Sequence, residues 1–263
     1  MAKSRWVSAA WWIAALMSLH GCGATSHSAA DVTDVANNND LGDEVSADPE
    51  DESDALPTDV HVTAAPTGAG LLAEAQRELA AAMSSQYVHR THVDELNGTF
   101  DYDCSGFIGY ALSRIAPDAL AAVQAQTRRR PLAKHVEAFF ASLAPMGHPW
   151  ARVEHVAELM PGDLIAWLEP ADKRSHNTGH IMVVAARPYQ GVRVGELEIT
   201  VIDSSHSGHG VHDARIQQHR NGIGVGKIIL MMDSSGRAIG YRWSTAKRSR
   251  PYETQVAMAR LVG

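Results

Sequence analysis

Cys104 stands in the stretch TFDYDCSGFIGYALSRI, residues 99–115, directly after an aspartate and two residues before a glycine. A cysteine becomes a nucleophile when its thiolate is favoured. The first turn of a helix favours it, through unpaired N–H groups and the positive end of the dipole. Asp103 is a candidate N-cap that would start the helix at this residue. Gly106 removes side-chain bulk nearby and lets a substrate chain approach the sulfur. The plainer alternative for a cysteine seen alone is a small apolar residue packed in a core.

A thiol nucleophile needs a base. Of the 14 histidines, His180 opens the apolar run HIMVVAA, which reads as a strand. Alternate residues of a strand share a face, so its imidazole is expected on the side of Met182 and Val184. A second strand, LEITVID, follows a loop around Gly191. Symmetric antiparallel pairing about that loop sets Asp203 across from His180, where Cβ atoms of such neighbours lie about 4.5–5.5 Å apart. An aspartate there would orient the imidazole and complete a nucleophile–base–acid triad. A slip of one residue would turn the carboxylate away.

The elements that must hold these residues are legible as periodicities. GLLAEAQRELAAAMSSQ carries apolar residues at helical spacing, and so do Phe107, Ile108, Ala111, Leu112 and Ile115, a stripe stopped by Pro117. PLAKHVEAFFASLA is a third helix candidate, with Pro131 in its first turn. YVHRTHVDELNGTFDYD reads as a loop with a turn at Asn97-Gly98. DLIAWL, HIMVVAA, LEITVID, KIILMMD and AIGYRW each read as strands. Helices first and strands second is the pattern of an α+β domain in which N-terminal helices pack on an antiparallel sheet.

DCSGFIGYAL, then PGDLIAW, then GHIMVV, in this order, resemble the NlpC/P60 family of papain-like cysteine peptidases. The likeness runs from about Tyr87 to Ser205. QYVHR is similar to the family's PYVWGG segment, whose tyrosine lines the site and falls on Tyr87. The resemblance implies a papain-like fold, cleavage of bacterial cell-wall (peptidoglycan) peptides, a thiolate at Cys104, a general base at His180 and a third polar residue at Asp203. It also implies an oxyanion site made by backbone around the cysteine. Asp103, Ser105, Tyr87 and His206 are the expected substrate contacts. The loop HRTHVDE replaces the family's Trp-Gly-Gly, the third residue is more often His than Asp, and the segment 117–160 is longer than a minimal domain needs. The alternatives are a catalytically idle cell-wall-binding lipoprotein with the same cleft, and an amidase or acyltransferase acting on a substrate other than peptidoglycan.

Outside this domain the chain opens with Lys3 and Arg5, an apolar run from Trp6 to Leu19, and Gly21-Cys22. That reads as an export signal over residues 1–22. Its ending, LHGC, resembles a bacterial lipoprotein signal, which implies lipidation at Cys22 and a membrane-anchored place in the cell envelope, on the periplasmic or extracellular face. An ordinary secretory signal is the simpler alternative. Residues 23–69 hold acidic residues and no Lys or Arg, a composition that cannot bury enough apolar surface to fold, so an acidic tether is expected. The domain proper is expected at 70–263.

Two of the 23 basic residues lie in the leader and eleven of the 30 acidic ones in the tether, leaving 21 against 19. So balanced a domain argues against a nucleic-acid partner. The run TRRRP, residues 127–131, reads as a solvated loop. DSSHSGHGVHDAR, with His206, His209, His212 and Asp213, is dense enough to raise a metal site, but its Gly- and Ser-rich spacing favours a loop at the rim of the site. His206, close to Asp203, is an alternative orienter of His180. No cofactor or metal is called for, and a monomer is expected. Cys104 has no disulfide partner once Cys22 is set aside, which leaves its thiol for reactivity.

Overall fold

Thr67 accepts the Gly70 backbone N–H and opens α1 (Gly68–Ala81). The structure, a computed structural model, describes residues 67–263 apart from 126, 128, 129 and 174–176. The expected leader, the lipidation at Cys22 and the tether as far as residue 66 lie outside the described residues.

After α1 the chain forms a small hairpin, β1 (His92–Asp94) and β2 (Thr99–Asp101), where the sequence reads as loop. Gly98, at φ +62°, supplies the left-handed residue that this tight reversal needs. Then come α2 (Cys104–Ile115), α3 (Pro117–Gln124) and α4 (Ala133–Ser142). Pro117 ends one helix and also opens the next: its fixed φ suits the first helical position, where no N–H is needed.

The strands follow: β3 (Trp150–Val153), β4 (Leu164–Leu168), β5 (Gly179–Val184), β6 (Tyr189–Gln190) and β7 (Glu196–Ser205). A four-residue helix α5 (Ala214–Gln217) precedes β8 (Gly222–Met232), β9 (Ala238–Arg242), β10 (Pro251–Glu253) and β11 (Val256–Leu261). The order across the main sheet is β10-β9-β8-β7-β5-β4-β11-β3, with β6 added on β7, and the pairs are antiparallel. This is an α+β domain with helices first and an antiparallel sheet after them. Four of its strands, β3, β6, β10 and β11, come from segments not read as strands in the sequence. The C-terminal one slots between β4 and β3.

Strand alternation sorts the core into two clusters. Ile181, Val183 and Ile202 pack with Phe107, Ile108, Leu112 and Phe140 of the helices. Met182, Val184, Val201 and Ile199 pack with Ile165, Trp167, Ile228 and Tyr241 instead. Both faces of β5 are buried, so the strand reads as an unbroken apolar run rather than as alternation.

Candidate active site

Cys104 is the first residue of α2, and its neighbours fix that start. Asp103 Oδ1 accepts the Gly106 backbone N–H at 2.7 Å and the Ser105 hydroxyl at 3.1 Å. Arg130 grips the same carboxylate with both Nη atoms, at 2.6 and 2.7 Å, and donates to Ser105 Oγ at 3.0 Å. Burial would push the Asp103 carboxyl up, but Arg130 and the Gly106 N–H outweigh it and hold the group below its ordinary range. Asp103 and Ser105 do line the cavity beside Cys104. Their polar atoms, however, are engaged in capping the helix. Arg130 corrects the reading of TRRRP as solvated: it is the clamp on the cap.

The sulfur of Cys104 sits where two strands part. β5 and β7 pair only at Val183–Ile202 and Val184–Val201. Below those pairs the Ile181 backbone N–H acts on the Cys104 thiol, favouring its charged form. Burial, then the nearby Asp103 charge, push the thiol up to about 12, against weaker opposing help from the Ile181 and Ser105 N–H groups. The expected resting thiolate is therefore replaced by a neutral thiol, because the site is buried and two carboxylates face it. Among the described residues Cys104 makes no hydrogen bond to His180, whose residue is the next one back along β5 from Ile181.

His180 and Asp203 meet, though by another register than symmetry suggests. Carried to the start of β5, the observed pairing would set Ser205 across from His180. β6 pairs through Tyr189–Glu198 and Gln190–Leu197, so two extra residues are absorbed between Val184 and Tyr189. Pro188, with no N–H to give a ladder, lies in that break. A displacement of two residues keeps side chains on the same face. His180 Nε2 accordingly lies 2.6 Å from Asp203 Oδ2. The carboxylate accepts, so Nε2 carries the proton and Nδ1 is the ring's free lone pair. Burial lowers the His180 basicity more than Asp203 raises it, leaving the imidazole neutral.

Asp203 is itself held by two residues that sequence reasoning did not assign. Arg215 Nη2 donates to Oδ1 at 2.8 Å, and His209 Nε2 lies 3.0 Å from Oδ2, while His209 Nδ1 faces the Trp243 carbonyl at 3.0 Å. Asp213 secures both partners: it accepts Arg215 Nη2 at 2.8 Å and the His209 backbone N–H at 2.9 Å. Asp203 is fully buried, which alone would raise its carboxyl, but Arg215 and His209 hold it well below the ordinary range. The signal for this network was present in NGIGVGK. A Cβ on Gly224 would meet Arg215 Nε at 2.3 Å, and one on Gly226 would meet the His209 ring at 2.4 Å. Alternating glycines on β8 thus open a trough for two charged side chains.

Tyr87 lines both the cavity with Cys104 and the one with His180. His206 stacks on it, with ring centroids 6.3 Å apart. His206 therefore borders the site, and the bond that orients His180 comes from Asp203. Nor do His206, His209, His212 and Asp213 converge: His212 is exposed, and Asp213 caps α5. The ligand-type atoms that do converge belong to His180, Asp203 and His209, within 4.8 Å of one another. Both imidazole Nε2 atoms there already bond one carboxylate oxygen, and the Arg215 cation holds the other. That is the bonding of a proton-holding network, and a cation would have to displace it.

Fold and site together define an α+β domain in which a helix-start cysteine lies beside a strand-borne His–Asp pair. The chain is 32% identical over 164 residues to an uncharacterized protein of Acanthamoeba polyphaga mimivirus, covering 56% of this chain and 70% of that protein. The chain belongs to the same family as this viral protein. No family model and no solved structure matches it. Among the described residues no helix is long and apolar enough to cross a membrane.

Proposed function

We propose that the chain is a papain-like cysteine hydrolase of NlpC/P60 type that works through an acyl-Cys104 intermediate. The observation that carries the reading is the His180–Asp203 bond of 2.6 Å, which leaves Nδ1 as the base at the strand end beside Cys104. His180 takes the thiol proton as the sulfur adds to a substrate carbonyl. The imidazolium then protonates the departing amine as the C–N bond breaks. Water, deprotonated by His180, attacks the thioester, and the thiol recovers its proton as the acid leaves. The backbone N–H groups of Cys104 and Ser105, at the start of α2, and the hydroxyl of Tyr87 are the donors for the oxyanion. Burial raises the Tyr87 hydroxyl above its ordinary value, so it stays a donor.

The resemblance of the motifs supports a cell-wall peptide as substrate, and the leader supports an exported, lipid-anchored protein acting as a monomer in the cell envelope. The test is digestion of purified muropeptides, with mass analysis of newly freed amines. Release by the wild type and none by Cys104→Ala supports the reading; equal release by both sinks it. A second substrate class, acyl groups outside peptidoglycan, is favoured by one observation, the apolar cavity that begins at Ser105.

A further inference from the structure

Gly109 lies in the middle of α2, where glycine weakens a helix relative to alanine. Its helix neighbour Gly106 has a local reason, since a Cβ there would meet Thr91 Oγ1 at 2.5 Å. A Cβ on Gly109 would meet nothing within 4 Å. The space it faces is a cavity of about 230 Å³ that follows α2 from Ser105 and Gly106 past Gly109 to Leu112. The seven helical steps from Ser105 to Leu112 make that trough about 10 Å long.

Its walls are aliphatic or aromatic, from Ile108, Leu120, Val123, Val136 and Phe140. Thr91, Ser105, Tyr110, Gln124 and Arg130 complete the lining, and the Arg130 charge is already matched by Asp103. Ser105 also lines the smaller cavity at Cys104, so the two cavities share one wall residue next to the nucleophile in the chain.

We propose that this trough holds the aliphatic chain of an acyl substrate, so that the group carried on Cys104 is a medium-length fatty acyl group of about eight carbons, by the length of helix it follows. The chemistry rests on the cysteine-hydrolase reading; the binding does not. A peptide laid along these walls would bury amide groups without partners, which is costly. A methylene chain brings no polar group and gains by leaving water. A mouth whose one cation is already paired suits an uncharged ester, thioester or amide better than a free anion. The bond that breaks joins the acyl carbon to the leaving oxygen, sulfur or nitrogen. The leaving group takes its proton from His180, and water then returns the fatty acid and the thiol.

Two measurements on the full chain test this. The first compares hydrolysis of p-nitrophenyl acetate, butyrate, octanoate and dodecanoate. The wild type is expected to favour octanoate over acetate at least tenfold in kcat/KM, and Gly109→Leu, which fills the trough, should collapse that ratio towards one. Leucine is a better helix former than glycine and has open space here, so an unchanged or higher Tm confirms folding. The second measures binding of the uncharged amide N-methyloctanamide to Cys104→Ala by calorimetry, with binding lost when Gly109→Leu is added. Binding without Cys104-dependent hydrolysis would keep the trough and remove the hydrolase reading. Cys104-dependent hydrolysis with no chain-length preference, or a preference that Gly109→Leu leaves intact, overturns the trough and spares the hydrolase.

Discussion

His209 and His180 present their Nε2 atoms to one and the same oxygen of Asp203, at 3.0 and 2.6 Å. The other ring nitrogen of His209 faces a backbone carbonyl, so both of its nitrogens face acceptors. A histidine so placed donates twice only when it carries both ring protons. The pair around Asp203 is therefore unequal: His209 has an acceptor at each ring nitrogen, whereas His180 has one at Nε2 alone. His209 is also among the causes that lower the basicity of His180, after burial.

Replacing His209 with glutamine keeps one donor near Asp203 and removes the imidazole that lowers His180. The basicity of His180 should then rise. The acid limb of kcat/KM, which in the wild type lies below the ordinary histidine value near 6.5, should move to higher pH in His209→Gln. A profile over pH 4–8 checks this, and a limb that stays in place or moves down contradicts it.

Gly224→Ala would drive a methyl group into the Arg215 guanidinium. Overpacking of this kind costs about 1–3 kcal/mol, and displacing a buried cation from Asp203 adds to it. A lowered urea midpoint is expected, together with a loss of activity greater than the stability change explains. Val225→Ala, on the opposite and partly exposed face of the same strand, is the control and should change little.

Much of this site was legible in the sequence because Cys104, His180 and Asp203 each stand at the end of an apolar run. Element ends are the places where periodicity stops and chemistry becomes visible. His209 and Arg215 were not legible, since they come from an irregular segment and reach Asp203 only because β8 lacks side chains at 224 and 226. Arg130 was hidden for a related reason: its partner lies 27 residues away, and a basic run gives no hint of a fixed cap. The α+β layout followed from the order of periodicities. The position of β11 did not, because nothing in a terminal segment says which two strands will part to admit it.

The thiol itself gives a third prediction. Burial and the charge of Asp103 raise it to about 12, so alkylation by iodoacetamide should keep accelerating well above pH 9 in the folded protein. A raised folded value means that its stability contribution is present below the unfolded thiol value, about 8.5, and is lost as pH rises towards 12. Denaturant midpoints should accordingly fall between pH 9 and 11 in the wild type more than in Cys104→Ala. A labelling rate that levels off near pH 7 would mean a resting thiolate.

Glu78 supplies a fourth. It is fully buried in α1, accepts the Tyr102 hydroxyl at 2.7 Å, and is raised to about 8, chiefly by burial. The acid form is thus favoured in the folded state at neutral pH. Stability from it is complete below the ordinary carboxyl value near 4.3 and is lost as pH rises through about 8. Glu78→Gln, which keeps the shape without the titration, should flatten that decline in melting experiments between pH 5 and 9. An equal slope in both proteins would place the titration elsewhere.

Covalent catalysis by Cys104 is tested most directly by mixing enzyme with p-nitrophenyl octanoate in a stopped-flow instrument and quenching for intact mass. The expected result is a burst of one nitrophenolate per chain and a mass gain of one octanoyl group on Cys104. Both should be absent in Cys104→Ala and strongly slowed in His180→Ala. A burst that survives Cys104→Ala, or an adduct that maps to another residue, would contradict the assignment of the nucleophile.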